Sequence, residues 1–302
     1  MNKTSNNFKQ LAIIGSTASG KTSLSIKVAK KINAYILSLD SLSIYKEIDI
    51  VSAKPTEEER EGIVHFGIDY LYPHETFDVT IFIELYHSVY KKCLQEEKNL
   101  IIVGGTSFYL KMLMEGISEL PPISETTRNE VKIHLQNLEK TYIWLQDIDN
   151  IYMSKIASND RYRIEKALHI YLETGLTPSA YFSRFPPSTT ISLPLPIYQI
   201  VWDRPILRER INLRTRLMLK EGLIDEVCML EKKYGRTPNC MKSIGIKEVL
   251  AYLDGIYDKK MLIDKISTNT ARLAKRQNTF NNSQFDNVIK GSVKALEDLL
   301  LV

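Results

Sequence analysis

From Gly15 to Thr22 the chain reads Gly-Ser-Thr-Ala-Ser-Gly-Lys-Thr, and the spacing G-x-x-x-x-G-K-[ST] suits phosphate. Small residues at Gly15, Ser16, Thr17, Ala18, Ser19 and Gly20 let successive backbone N–H groups turn inward on phosphate oxygens. A helix starting where the loop ends adds its positive N-terminal end. Lys21 supplies a mobile positive charge, and the Thr22 hydroxyl can ligate Mg²⁺. Such a P-loop says phosphate without saying which reaction, so a second group must decide the chemistry. Asp40 stands at the end of the apolar run Tyr35 to Leu39. Its position admits three readings: a helix N-cap with Ser41, an indirect Mg²⁺ ligand, or a general base facing the ligand. A third apolar run, Leu100 to Val103, ends on Gly104-Gly105-Thr106, offering amides and a hydroxyl where many nucleotide hydrolases offer a carboxylate.

The elements that must position these residues follow from hydrophobic pattern. Leu11 to Ile14 is a short apolar run ending at Gly15, and Leu24, Val28 and Ile32 recur at helical spacing after Lys21. Apolar runs with little polar alternation, separated by helices such as Ile81 to Leu94, predict parallel strands covered on both faces. From about Pro121 to Pro187 the pattern contains no convincing strand. It shows periodic stretches at 131–138, 151–156 and 164–172, then a proline-rich segment running from Phe185-Pro186-Pro187 to Pro194-Leu195-Pro196. Strand character resumes at Ile197 to Trp202, and a basic helix is predicted from about Pro205 to Leu219, with proline in its first turn. The expected fold class is α/β: a P-loop NTPase-like core with a parallel sheet covered by helices, interrupted by an all-helical insertion domain. The segments are 1–120 and 191–302 for the core and 121–190 for the insertion.

Composition narrows the class of molecule. The 302 residues are 44% hydrophobic and 25% charged with a formal net charge of +4, which fits a globular protein with a sizeable core and names no partner. Positive charge concentrates in 204–220 and 265–276, while 57–61 is mostly acidic. Three cysteines, Cys93, Cys228 and Cys240, lack ligand spacing and are read as reduced thiols. His65 and His74 have no second ligand at useful spacing and read as loop or core residues. The polar stretch Met1 to Asn7 has no apolar signal core behind it, and no long apolar run follows, so the expectation is a cytoplasmic protein without a membrane span.

Four motifs in order, Gly15 to Thr22, Asp40-Ser41-x-x-x-Tyr45-x-x-x-Asp49-Ile50-x-x-Ala53-Lys54-Pro55-Thr56, Gly104-Gly105-Thr106 and Leu273-Ala274-Lys275-Arg276-Gln277, resemble those of the tRNA dimethylallyltransferase family. The resemblance implies transfer of a dimethylallyl group from dimethylallyl diphosphate to the exocyclic N6 amine of the adenine just 3′ of the anticodon. It implies Mg²⁺ on Thr22, and Asp40, Lys21 and Thr106 as catalytic residues. The diphosphate would lie on the loop Gly15 to Thr22 with Arg210, one of two arginines, Arg210 and Arg214, four apart on one helical face. The tRNA anticodon stem-loop would meet Asp40, Ser41, Leu42, Ser43, Thr106, Arg128, Tyr162, Arg163, Lys166, Lys242, Gly245, Lys247, Lys275, Arg276 and Gln277. Such phosphate contacts make binding fall with salt, and the stacked target base must leave its stack to react. Neither a membrane nor a protein partner is implied, and the chain is read as a monomer. Departures from the family pattern are Ser16 for proline, Ile246 for tyrosine, Phe280 for tryptophan, Asn282 for arginine, and Glu165-Lys166 for a frequent Ser-Arg pair. The alternative that shares the fold and first motif is a small-molecule kinase using ATP.

Overall fold

A computed structural model of the chain describes residues 8–191 and 195–301. The N-terminal stretch Met1 to Asn7 and Pro194 of the proline-rich segment lie outside the described residues. The chain divides into two compact units, one formed by 1–111 with 191–302 and the other by 112–190. The second unit begins at Met112, nine residues before the sequence boundary at 121. Within it Thr190 N donates to Leu113 O at 3.1 Å and Ile117 bridges Ser188, so the segment after 111 pairs with the end of its own unit.

The first unit is an α/β sheet structure. Its strands are β1 (Gln10–Gly15), β2 (Ala34–Ser38), β3 (His65–Phe66), β4 (Asn99–Gly104), β5 (Ile197–Ile200) and β6 (Ile289–Gly291). They stand in the order β3-β2-β4-β1-β5-β6, all parallel. β1 pairs with β4, which precedes the inserted segment in sequence, and with β5, which follows it, Ile13 lying opposite both Val103 and Tyr198. Its Ala12, Ile13 and Ile14 are wholly buried, as a central parallel strand covered on both faces requires. The two short strands β3 and β6 were not legible in sequence; they sit at the sheet edges, and two or three residues give no apolar run to detect.

Helices α1 (Lys21–Ile32) and α2 (Val79–Gln95) follow the first strands, and α3 (Ser107–Glu115) leads out of β4. α1 buries Leu24, Ile26 and Val28 against the sheet and ends on Asn33 in the left-handed region. α2 starts on Asp78, whose carboxylate accepts from Thr80 N and Ile81 N.

The second unit consists of helices α4 (Glu125–His134), α5 (Leu138–Ile148), α6 (Asn150–Met153), α7 (Arg161–Thr174) and α8 (Pro178–Arg184). The periodic stretch 131–138 spans the junction of α4 and α5. Val131, Leu135, Leu145, Met153, Ile164 and Leu168 form a core of its own. Asp149 ties the short α6 to α8: it accepts from Tyr152 N, Ser179 N and the Ser179 hydroxyl, and these bonds hold its carboxyl below the usual range against the opposing effect of burial.

After β5 the first unit resumes with α9 (Arg204–Lys220), α10 (Leu223–Tyr234), α11 (Ile246–Leu253), α12 (Lys259–Gln284) and α13 (Val293–Leu301). α9 packs on α12 through Leu207, Ile211 and Ala274. Among the described residues no helix is long and apolar enough to cross a membrane.

Candidate active site

The phosphate loop joins β1 to α1. Gly20 has φ +93°, a left-handed conformation natural only to glycine, and it ends the loop so that Lys21 begins the helix. The loop is held from outside by α9, the residues leading into it, and α12, all far away in sequence. Trp202 Nε1 donates to Ser19 O at 2.8 Å and Arg210 Nε to Ala18 O at 2.8 Å, with the Arg210 guanidinium 4.8 Å from the centre of the Trp202 ring. Arg214 Nη1 reaches Thr17 Oγ1 at 3.3 Å, and Thr17 N donates to Gln277 Oε1 at 2.9 Å. Lys21 Nζ donates to Ser16 O at 2.7 Å, folded back over the loop.

Three hollows meet around this loop. A recess of about 330 Å³ is lined by Ala18 to Thr22 with Arg210 and Arg214. A small cavity of about 110 Å³ holds Lys21, Thr22, Ser38, Asp40 and the turn Ser52 to Pro55. A large cavity of about 500 Å³ is walled by Asp40, Tyr45, Thr106, Tyr109, Arg214 and Lys242, among others. Arg214 borders all three, Asp40 and Thr17 the small and large ones, and Lys21 the recess and the small one. Asp40 therefore stands where a phosphate on the loop would meet a larger, partly apolar chamber.

The charges in this junction perturb one another. Burial pushes the Lys21 ammonium down to about 8, with Asp40 opposing the shift and Arg214 adding to it. Burial likewise lowers Arg214, again opposed by Asp40, which leaves the arginine charged at any physiological pH. Asp40 Oδ1 accepts from Leu42 N at 2.8 Å and Ser43 N at 3.2 Å, while Asp40 N donates to Ser38 Oγ at 3.3 Å. No helix follows Asp40, so the N-cap reading with Ser41 is not realised; one oxygen instead caps the turn over 41–44. Oδ2 makes no hydrogen bond among the described residues, and the side chain still borders both cavities.

Further contacts hold the loop from Ser52 to Pro55 that lines the small cavity with Asp40. Lys54, whose side chain is 4% exposed, donates to Tyr45 O at 2.9 Å and to the carboxylates of Asp49 and Asp69 at 2.5 and 2.6 Å. Three successive backbone N–H groups, of Asp49, Ile50 and Val51, converge on the Glu226 carboxylate of α10 at 2.7 to 3.0 Å. The A-K-P-T motif thus knots the loop that walls the cavities. Glu226 carries no sequence signal, because its partners are main-chain groups more than 170 residues away.

The other expected residues fall into groups. Ser41, Leu42, Thr106, Lys242, Gly245, Lys247, Arg276 and Gln277 line the large cavity with Asp40, and Ser43 lines the small one. Thr106 is fixed by its N–H to Leu39 O at 3.3 Å. Lys275 lies instead on the outer face of the α9–α12 pair, where it joins Arg204, Arg208 and Arg272 around a groove of about 710 Å³. None of these four cations has a carboxylate partner among the described residues. In the second unit Tyr162 is 69% exposed at the start of α7 with Lys166 Nζ 5.6 Å from its ring centre. Arg163 pairs with Asp160 at 3.1 Å, and Arg128 on α4 lies 3.9 Å from Glu125. Ile246 is wholly buried, and Asn282 accepts from Lys290 Nζ at 2.8 Å, so these departures serve packing and local hydrogen bonding. Arg214 joins Arg210 at the loop, and both line the recess. The two share a helical face and both hold the loop; they differ in burial, Arg210 being exposed while the more buried Arg214 borders all three hollows.

The family model described as IPP transferase matches residues 43–284. A tRNA dimethylallyltransferase from a Sulfurovum species is 66% identical over 294 residues, covering 97% of this chain and 98% of that protein. The tRNA dimethylallyltransferase of Sulfurimonas denitrificans is 56% identical over 292 residues, covering 97% and 98%. Among solved structures, the tRNA delta(2)-isopentenylpyrophosphate transferase of Staphylococcus epidermidis is 31% identical with a TM-score of 0.69, each chain covered to 97%.

Proposed function

The chain belongs to the tRNA dimethylallyltransferase family, and from that premise we propose how its residues move a dimethylallyl group from dimethylallyl diphosphate to the N6 amine of the adenine 3′ of a tRNA anticodon. The observation that carries the reading is the place of Asp40, on the shared wall of the loop-side cavity and the large chamber. A diphosphate on the loop puts its allylic carbon at this junction, and a base entering the large chamber meets it there.

The amine nitrogen forms a C–N bond to the allylic carbon as the C–O bond breaks and its electron pair leaves with diphosphate. Asp40 orients the amine and accepts the proton the nitrogen loses. The loop amides, Lys21 and Arg214 face the charge developing on the leaving group, and Arg210 braces the loop. Thr106, at the end of β4, faces the nucleotide. Thr22 presents an exposed hydroxyl in the same small cavity as Asp40 and Ser38. This oxygen-rich surround suits a hard cation held mainly by substrate phosphate and water, so Thr22 would hold Mg²⁺, which would add positive charge at the diphosphate. Lys242, Lys247 and Arg276 at the cavity rim, and Lys275 with its neighbours on the outer face, suit RNA phosphates. Arg128, Tyr162, Arg163 and Lys166 are assigned the same partner. The chain is taken to act as a monomer, and a tRNA substrate implies the cytoplasm.

A kinase could seat its acceptor in the large chamber, but many P-loop enzymes acting on nucleotides end a neighbouring strand on a Mg²⁺-holding carboxylate, where β4 here runs into Gly104-Gly105-Thr106. Purified protein with Mg²⁺ is expected to move label from dimethylallyl diphosphate onto unmodified tRNA. Transfer of the γ-phosphate of ATP to a small molecule, with no labelled tRNA, would overturn the assignment.

A further inference from the structure

Gln277 belongs to the late A-K-R-Q motif expected to meet RNA, yet its side-chain amide is engaged elsewhere. Its oxygen accepts the Thr17 N–H of the phosphate loop at 2.9 Å, across 260 residues of sequence. Its nitrogen rests over Gly105: a Cβ at that position would come within 2.5 Å of Gln277 Nε2 and 3.2 Å of Cδ. The absence of a side chain at 105 makes the space that the amide fills. Gln277 is partly buried and borders both the small and the large cavity. Thr17 is gripped from a second direction by Arg214 Nη1 on its hydroxyl, so helices α9 and α12 clamp the same loop residue.

We propose that Gln277 is a positioning residue for the phosphate loop, fixing Thr17 so that the remaining loop amides are set for diphosphate before it arrives, with Gly105 as the cradle that admits it. This rests on the reading of the loop as the diphosphate site. A loop held in its binding conformation spends less ordering free energy on the ligand. One neutral hydrogen bond is worth roughly three- to tenfold in affinity. The effect therefore falls on donor binding, with little on turnover at saturation.

Two variants probe it from opposite sides. Gln277→Met keeps the volume over Gly105 and removes the acceptor. Gly105→Ala drives the amide away; the clash is with the end of a flexible side chain, so the fold survives. Each is measured for affinity to inorganic diphosphate by calorimetry, for donor and tRNA KM and kcat, and for Tm. Each is expected to weaken diphosphate and raise donor KM by about three- to tenfold, with kcat and tRNA KM close to the parent's. The double variant is expected to be no worse than the weaker single one, because both break the same hydrogen bond. Diphosphate affinity equal to the parent's in Gln277→Met, a rise confined to tRNA KM, or effects that multiply in the double variant would each overturn the proposal. Calorimetry with diphosphate reads the loop even if the parent fails to prenylate tRNA, which separates failure of this inference from failure of the assigned reaction.

Discussion

At the scale of single residues, the site depends on which charges are buried. Asp40 engages one carboxylate oxygen with the Leu42 and Ser43 amides, which fixes its direction and leaves the other without a hydrogen bond among the described residues. Asp40→Ala is expected to lower turnover by about a hundredfold or more, the scale of general acid–base effects, with tRNA binding near the parent's in a filter-binding assay; unchanged turnover would remove Asp40 from the mechanism. Arg214→Ala should weaken the donor more than Arg210→Ala, because Arg214 borders all three hollows whereas Arg210 braces the loop from its carbonyl side. Equal donor affinities in the two variants would contradict this ranking. Lys21 gives a pH signature. With its ammonium lowered to about 8 by burial, the free protein loses a positive charge as pH rises through that value, so donor affinity should decline above about pH 8. The sign for stability is opposite. Between about 8 and the ordinary lysine value the unfolded chain holds the proton and the folded one does not, so the cost of burying this charge is present below about 8 and fades as pH rises. A donor affinity flat from about pH 7 to 9.5 would show that Lys21 does not carry this charge.

At the scale of elements, the site's walls are loops tied down by distant helices. The segment between β2 and β3 contains Asp40, Ser52 and Lys54 with little regular structure of its own, so it needs external anchors. Glu226 in the first turn of α10 supplies three backbone N–H groups with an acceptor, and Lys54 closes the other side. Glu226→Ala leaves those amides without a protein partner and is expected to cost about 1–3 kcal/mol, read as a lower Tm. Glu226→Gln should lie between it and the parent, since a neutral oxygen accepts fewer and weaker bonds. The strands β1, β2 and β4 and the helix α1 were legible from apolar runs and helical spacing. β3 and β6 were not, because two- and three-residue edge strands exist only through the neighbour they pair with.

At the scale of the whole molecule, the sheet is assembled from two stretches of sequence, with β1 between β4 and β5. The basic side chains distribute unevenly over the first unit. Lys242, Lys247 and Arg276 line the large cavity, and Arg204, Arg208, Arg272 and Lys275 surround the outer groove. Removing one lysine that neutralises an RNA phosphate should reduce the slope of log affinity against log salt by about one. Lys242→Ala and Lys275→Ala are therefore each expected to flatten the salt dependence of tRNA binding, and an identical slope would return that lysine to the solvated surface.

The sequence by itself determined the phosphate loop, the parallel strands that carry it, and the residue types gathered around it. These depend on spacing along the chain: amides in succession, apolar runs, helical periodicity. Only tertiary structure decided which of two equivalent arginines faces the junction, that Glu226 and Lys54 hold its wall, and that Gln277 reaches the loop rather than solvent. Those assignments join residues up to 260 positions apart, and no local pattern records a hydrogen bond whose partner is a backbone N–H in another part of the fold. The loop from Gly15 to Thr22 was visible in its spacing alone; the hydrogen bonds that hold its shape come from the helices packed against it.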